Sequence, residues 1–316
     1  MLQRARVAEP TEIGARVLAA QGRQFWIRLA DGRECAAVTR GRQSDVVTGD
    51  QVLCQTLGAG QAVINQVLSR RNRMRRSDQR REKILAANLD QVGFVISGEP
   101  PFSEELLLRA LIAAQCEEIE VFLIATKADL PEAMARIALR LQILEAHGLS
   151  VYRVASHRAP ERTREALLSR MTGRTTLLMG QSGMGKSTLV NLLIPEAELR
   201  TQSISQALQT GRHTTTFTRA FELPEGGCLL DSPGFQVYGL AHLSPSELAH
   251  GMPEFAALLG RCRFHNCSHR HEPGCAILES RQAGQIDAIR HDLWTRIRDE
   301  ADRQGLPATG RASSRS

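Results

Sequence analysis

The chain has 316 residues, a formal net charge of +6 and a pI near 9.2, enough length for two or three cores and too little charge to name a partner. No apolar run approaches the roughly 20 residues that cross a bilayer, and residues 1–9 lack the apolar stretch of a secretory signal, so no membrane association is expected. Seven cysteines, three of them within residues 262–275, suit a reduced cytoplasmic protein with one metal site better than a disulfide framework.

Residues 9 to 69 read as short strands broken by glycine turns, at 14–18, 24–29, 34–38 and 50–54. Alternating apolar residues with turn signals about every ten positions predict a small β-barrel over residues 1–70. An oligonucleotide-binding barrel is the specific expectation, with an SH3-like barrel as the alternative. Trp26 could stack on a base, although a lone Trp in a small barrel usually serves the core. Residues 71–88 read as a basic linker. The arginines at 70, 71, 73, 75, 76, 80 and 81 could neutralise phosphates, and their place beside the barrel favours RNA contact over a merely solvated connection.

From residue 89 to 243 the pattern changes to apolar strands alternating with amphipathic helices. Val92-Gly93-Phe94-Val95-Ile96 is a buried strand, and Ser103 with Glu104 and Glu105 caps a helix carrying Leu106, Leu107, Ala110 and Leu111. A strand over 119–124, a helix to about 147, a strand over 151–154 and a helix over 161–171 follow. The alternation predicts an α/β fold, a parallel doubly wound sheet with ligands at the strands' C-terminal ends.

The fourth strand, Thr176-Leu177-Leu178-Met179, runs into Gly180-Gln181-Ser182-Gly183-Met184-Gly185-Lys186-Ser187, and Thr188 begins a helical run. Strand, glycine-rich loop and helix in that order make a phosphate loop. Glycines let backbone N–H groups close on phosphate oxygens, and the helix N-terminus favours the same anion. Lys186 is placed to reach the β- and γ-phosphates and Ser187 to hold Mg²⁺.

Three further motifs lie on strand ends. In Thr126-Lys127-Ala128-Asp129 the carboxylate of Asp129 can accept two guanine hydrogens that adenine does not offer, and the stem of Lys127 can cover the base. Thr126 stands where the guanine-nucleotide pattern has Asn; it keeps a hydroxyl and loses an amide, so looser base affinity with unchanged base identity is expected. Asp231-Ser232-Pro233-Gly234 closes a strand over 227–230, with Asp231 reaching Mg²⁺ through water and the Gly234 N–H meeting the γ-phosphate. Gly211-Arg212-His213-Thr214-Thr215-Thr216 has the composition of a switch, and Thr215 is the expected magnesium ligand among its threonines. Here the base-reading motif precedes the phosphate loop, with Val154-Ala155-Ser156 as the second base-contacting loop between them. In ordinary GTPases the phosphate loop comes first, so the domain is circularly permuted. Its second switch then feeds straight into whatever follows.

Residues 244–304 read as a helical, zinc-binding domain: a helix over 244–259, a ligand-rich segment, then a helical stretch around 283–303. Cys262, Cys267 and Cys275 with a histidine can close a tetrahedral zinc site, structural because it keeps no open position. His269 fits the spacing C-x4-C-x-H-x5-C, and His265 and His271 are rivals for the nitrogen ligand. Residues 305–316 are expected to be a disordered tail.

The permuted order, residues 211–216, the run Asp231-Ser232-Pro233-Gly234-Phe235 and the Cys/His cluster together resemble the RsgA (YjeQ) family of small-ribosomal-subunit-dependent GTPases, over nearly the whole chain. That resemblance implies an oligonucleotide-binding barrel, a permuted GTPase domain using Mg²⁺ with GTP, and a zinc domain whose third ligand matches His269. It also implies a cytoplasmic bacterial factor that binds the small subunit and its rRNA late in maturation, with slow GTP hydrolysis accelerated by the particle. A monomer is expected. Phe235 occupies the position where Ras-like proteins carry a water-orienting glutamine, and His213 is the expected substitute. The alternatives are a GTP-dependent RNA-binding switch acting away from the ribosome and an ATP-using enzyme, against which Asp129 argues.

Overall fold

A computed structural model of the chain describes residues 12–40, 45–58, 60–77, 82–199, 201, 204 and 217–304. Five strands, β1 (Ile13–Gln21), β2 (Gln24–Leu29), β3 (Glu34–Thr39), β4 (Gln51–Gly58) and β5 (Gln61–Val67), close into the predicted barrel. They pair in the order β1-β2-β3-β5-β4, and β4 returns to β1. Alternate side chains point inward as the strand period requires, so Val17, Ile27, Val52 and Ile64 are fully buried. Trp26 is half-buried and lies outside the barrel core. It packs outside the barrel with Ala19 and Phe217, and its indole N–H donates to Glu34 at 2.8 Å.

Residues read as a basic linker contain a two-stranded hairpin, β6 (Arg73–Ser77) and β7 (Glu82–Ala87), around the buried Met74. The arginine cluster is partly committed inside the fold: Arg70 to Asp50 at 2.7 Å, Arg71 to Asp90 at 2.8 Å, and Arg75 to Glu82 at 3.2 Å. Arg80 and Arg81 lie outside the described residues. Sequence reasoning saw the arginines and missed the carboxylates that face them across the fold.

The second sheet contains β8 (Gln91–Ile96), β9 (Glu120–Ala125), β10 (Ser150–Arg153), β11 (Thr175–Gly180), β12 (Arg219–Glu222) and β13 (Cys228–Asp231), in the order β10-β9-β8-β11-β13-β12. All neighbours are parallel except β12, which runs antiparallel to β13 and also meets β1, joining the sheet to the barrel. The connecting helices are α1 (Glu104–Cys116), α2 (Pro131–Ala146), α3 (Pro160–Met171) and α4 (Lys186–Leu193). Ser103 caps α1 as its sequence implied, accepting the Leu106 N–H at 3.2 Å.

Beyond the sheet, the helix expected over 244–259 stops early. A capping box of Ser244 and Glu247 starts α5 (Pro245–His250), and a 3-10 turn, Pro253–Phe255, follows. Pro253 has no N–H to give and its ring clashes with the preceding turn, so the helix cannot run on. The helical stretch placed around 283–303 is α7 (Ala288–Gln304), preceded by a short α6 (Ala276–Gln282). Trp294 of α7 is wholly buried, donates to Leu248 O at 2.9 Å and packs edge-on against Phe255. Arg109 on α1 ion-pairs with Glu105 and with Glu300 of α7, and donates to Tyr238 O at 3.4 Å. The segment leaving residue 234 is thereby tied to the C-terminal helix. It is tied to the hairpin as well: Ser77 N–H donates to Gly239 O at 3.0 Å and Tyr238 O–H to Arg75 O at 2.7 Å.

Candidate active site and metal centre

The phosphate loop sits where three parallel strands end. Strand β11 finishes on Gly180, whose φ of +146° and position against Val95 O exclude a side chain; a Cβ there would lie 2.5 Å from that oxygen. Gly183 and Gly185 also take left-handed φ, of +82° and +91°, and α4 starts at Lys186. The Lys186 ammonium folds back onto the loop, donating to Gly180 O at 3.0 Å and Gln181 O at 3.3 Å, with 8% of the residue exposed. Burial lowers its pKa and the nearby Asp231 opposes that. Ser182, Gly183 and Ser187 are exposed, and Gln181 and Thr188 half-buried. The Gln181 side-chain oxygen accepts the Ser103 N–H at 2.6 Å, a tie from the loop to the start of α1 that no sequence signal marked.

Residues 231–234 come to the same place from β13. Burial pushes the Asp231 carboxyl up to about 6, against the attraction of Lys186 and Arg219. A Cβ on Gly234 would lie 3.1 Å from Ser182 N and 3.3 Å from Lys186 Nζ, so this glycine rests on the loop itself. The next N–H, of Phe235, donates to Gly180 O at 3.2 Å, and the Phe235 ring is buried. His213 and Thr215 lie outside the described residues.

The base-reading segment leaves β9 beside this loop. Thr126 is buried and bonds to Met184 O at 2.7 Å; Lys127 has a φ of +57° and donates to Glu99 O at 2.5 Å. Ala128 N–H donates to Val154 O at 3.0 Å, which brings the segment beside the half-buried Ser156 two residues on. Asp129 is exposed. All three motifs therefore share one end of the sheet.

A second cluster forms between α5 and α6. The donor atoms of Cys262, Cys267, His269 and Cys275 all lie within 4.8 Å of one another. A tetrahedral ion with ligand distances of about 2.3 Å to sulfur and about 2.0 Å to nitrogen sets sulfurs about 3.8 Å apart and sulfur about 3.5 Å from nitrogen. Here the Cys262 and Cys275 sulfurs are 3.9 Å apart, and His269 Nδ1 is 3.5 and 3.6 Å from them. The residues present fit a metal ion. His265 and His271 are exposed and outside the cluster. Burial raises the Cys275 thiol and, with its sulfur neighbours, pushes Cys267 up to about 12, a cost that a bound cation reverses.

Two supporting residues escaped the sequence reading. The Glu272 carboxylate accepts the N–H groups of Ser268, Arg270 and His271 at 2.8, 3.2 and 3.3 Å, which holds the ligand loop in shape and keeps its pKa well below the usual range. His291 on α7 donates from Nε2 to the carbonyl of His269 at 3.1 Å, where the His269 backbone is left-handed at +62°. An acid within a ligand-rich loop is a visible signal for Glu272. Nothing local marks His291, which acts from 22 residues away.

The profile of the RsgA GTPase family matches residues 67–241. A Paraburkholderia phytofirmans protein named small ribosomal subunit biogenesis GTPase RsgA is 47% identical over 302 residues, covering 94% of this chain and 96% of that one. A Burkholderia pseudomallei protein of the same name is 48% identical over 287 residues, covering 90% and 91%. Among solved structures, YjeQ from Thermotoga maritima superposes with a TM-score of 0.72 at 24% identity, covering 92% of this chain and 99% of its own. YloQ, described as a circularly permuted GTPase, gives 0.69 at 22% identity over 96% and 99%. At those identities the two structures bear on the fold alone, which is that of a permuted phosphate-loop GTPase with an N-terminal barrel.

Proposed function

This chain belongs to the RsgA GTPase family and hydrolyses GTP, and we propose that it does so on the small ribosomal subunit late in that particle's maturation, with turnover raised by the subunit. The observation that carries this reading is the relatives' name, small ribosomal subunit biogenesis GTPase, spanning 94% of the chain at 47% identity. The barrel supplies a surface for rRNA. The protein works in the cytoplasm, as a monomer, without a membrane.

In this reading residues 180–188 cradle the phosphates through backbone N–H groups, and Lys186 turns its ammonium from the loop carbonyls to the β- and γ-oxygens. Magnesium bound with the nucleotide supplies charge compensation across those phosphates. Ser187 and Thr215 offer hydroxyls to it and Asp231 a carboxylate through water. Gly234, already against the loop, donates its N–H to the γ-phosphate. Asp129 accepts the guanine hydrogens, Lys127 and Ala128 flank the base, and Ser156 lines its far side. A phenyl ring at 235 cannot orient water by hydrogen bonding, so His213 takes that part. Replacing His213 by Ala should lower subunit-stimulated turnover and spare nucleotide affinity; unchanged stimulated turnover removes it from the mechanism.

Zinc is the ion best suited to three thiolates and one imidazole, and with all four positions protein-held its role is structural. The test of the whole reading is GTP and ATP hydrolysis with and without purified small and large subunits. GTP-selective turnover that rises with small subunits alone is expected. Turnover indifferent to the subunits would overturn the ribosomal assignment and leave the GTPase.

A further inference from the structure

We infer that Trp26 is a positioning residue for the switch stretch 205–216, an inference that rests on the magnesium reading of that stretch above. Residues 205–216 lie outside the described residues, but the two that bound them do not. Ile204 and Phe217 are buried, 4% and 7% exposed, in one apolar cluster with Ala19 of β1. Trp26 of β2 stands directly across the strand pair from Ala19 and packs against that cluster. Its indole N–H donates to Glu34 of β3 at 2.8 Å, which fixes the ring on the outer wall of the barrel. The switch stretch therefore has both its ends on one patch of barrel wall.

The two ends are not held equally. Beyond 217 the chain is fixed by polar and backbone contacts as well. The Arg219 guanidinium lies over the Phe217 ring, 4.6 Å from its centroid, and residue 219 pairs with Ala19 where β12 meets β1. The buried Thr48 hydroxyl, on the loop between β3 and β4, donates to Thr218 O at 2.9 Å. Before 204 there is less. Among the described residues, the last one ahead of Ile204 that is buried in the sheet's own core is Ala197. Without the indole the flank from 198 onward loses its cover, and the stretch that magnesium and the γ-phosphate must order grows from 205–216 to 198–216. Loop-closure entropy alone makes that about a twofold loss, and the uncovered apolar faces of Ile204 and Phe217 add to it. A switch is ordered by the γ-phosphate with its metal and released in the diphosphate, so the loss falls on the triphosphate.

The test measures GDP and a non-hydrolysable GTP analogue, each with magnesium, by competition against a fluorescent GDP analogue. The proteins are wild type, Trp26→Ala and Trp26→Phe, and tryptophan emission is the second readout. Trp26→Ala should weaken the GTP analogue about threefold and leave GDP unchanged. Trp26→Phe keeps an apolar ring over the cluster and should restore most of the loss. Trp26 and Trp294 are the chain's two tryptophans, and Trp294 is wholly buried among the C-terminal helices. Exchanging GDP for the magnesium-bound analogue should shift the wild-type emission, and Trp26→Phe should abolish that shift. The emission measurement on the wild type stands even if the alanine variant does not fold. An equal loss for both nucleotides, no loss at all, or wild-type emission indifferent to the nucleotide would overturn the inference. A Thr215→Ala protein that binds the magnesium-bound analogue as tightly as wild type would instead overturn the magnesium reading on which it rests.

Discussion

Replacing Asp231 by Asn should make the nucleotide-free protein more stable while ending its GTP hydrolysis. Burial raises this carboxyl from 3.8 to about 6, and Lys186 and Arg219 recover only part of the desolvation cost. At about 1.4 kcal/mol per pH unit, the folded chain at pH 7 holds an ionised carboxylate at a cost on the order of 3 kcal/mol. The sign follows from the raised value. The cost is absent below pH 3.8, grows as the pH climbs towards about 6, and is complete above it. The attraction to Lys186 is already inside that net figure, so losing the counter-charge does not cancel the gain. Urea unfolding of both proteins from pH 4 to pH 8, without nucleotide, measures the difference directly. Asp231→Asn should match the wild type near pH 4 and exceed it by about 3 kcal/mol at pH 7. Saturating GTP with magnesium should reverse the order, because only the wild type keeps the charge that ligand uses. A difference that is flat with pH, or that favours the wild type at pH 7 without nucleotide, would refute the reasoning.

Three further outcomes are expected. Cys275→Ser should lower bound metal, measured by atomic emission, and remove more than about 4 kcal/mol of stability from the C-terminal helices; full metal content with an unchanged melting transition would count against the cluster as a metal site. His291→Ala removes the donor that holds the His269 carbonyl, so affinity measured against a chelator should fall about 10-fold to 100-fold while the metal stoichiometry at saturation stays the same. Gly98→Ala places a Cβ 1.8 Å from Ala133 O and should cost more than about 3 kcal/mol in urea unfolding, whereas Gly148→Ala, left-handed at +86° with open space around it, should cost only about 1 kcal/mol.

The phosphate loop, the three cysteines and the helix cap at Ser103 were all legible in the amino-acid sequence, and for one reason. Each is a feature whose physics acts within a few residues: a glycine φ, a side chain capping its own helix, a short ligand spacing. The alternation of strands and helices was legible on the same ground, since burial imposes its period locally. Folding decided what those residues meet. Three histidines competed on spacing, and only His269 points into the thiol cluster, held there by a carboxylate at 272 and an imidazole at 291. The arginine-rich stretch read as a basic linker for RNA contact forms a hairpin instead, with Arg71 and Arg75 paired to Asp90 and Glu117 outside it. Thr126 looked like a weakened base contact until strand order set it 58 residues from its partner in sequence and 2.7 Å in space. A hydrogen-bond partner is chosen by which strand ends lie side by side, and that depends on the packing of the whole sheet, which no single stretch of the chain contains.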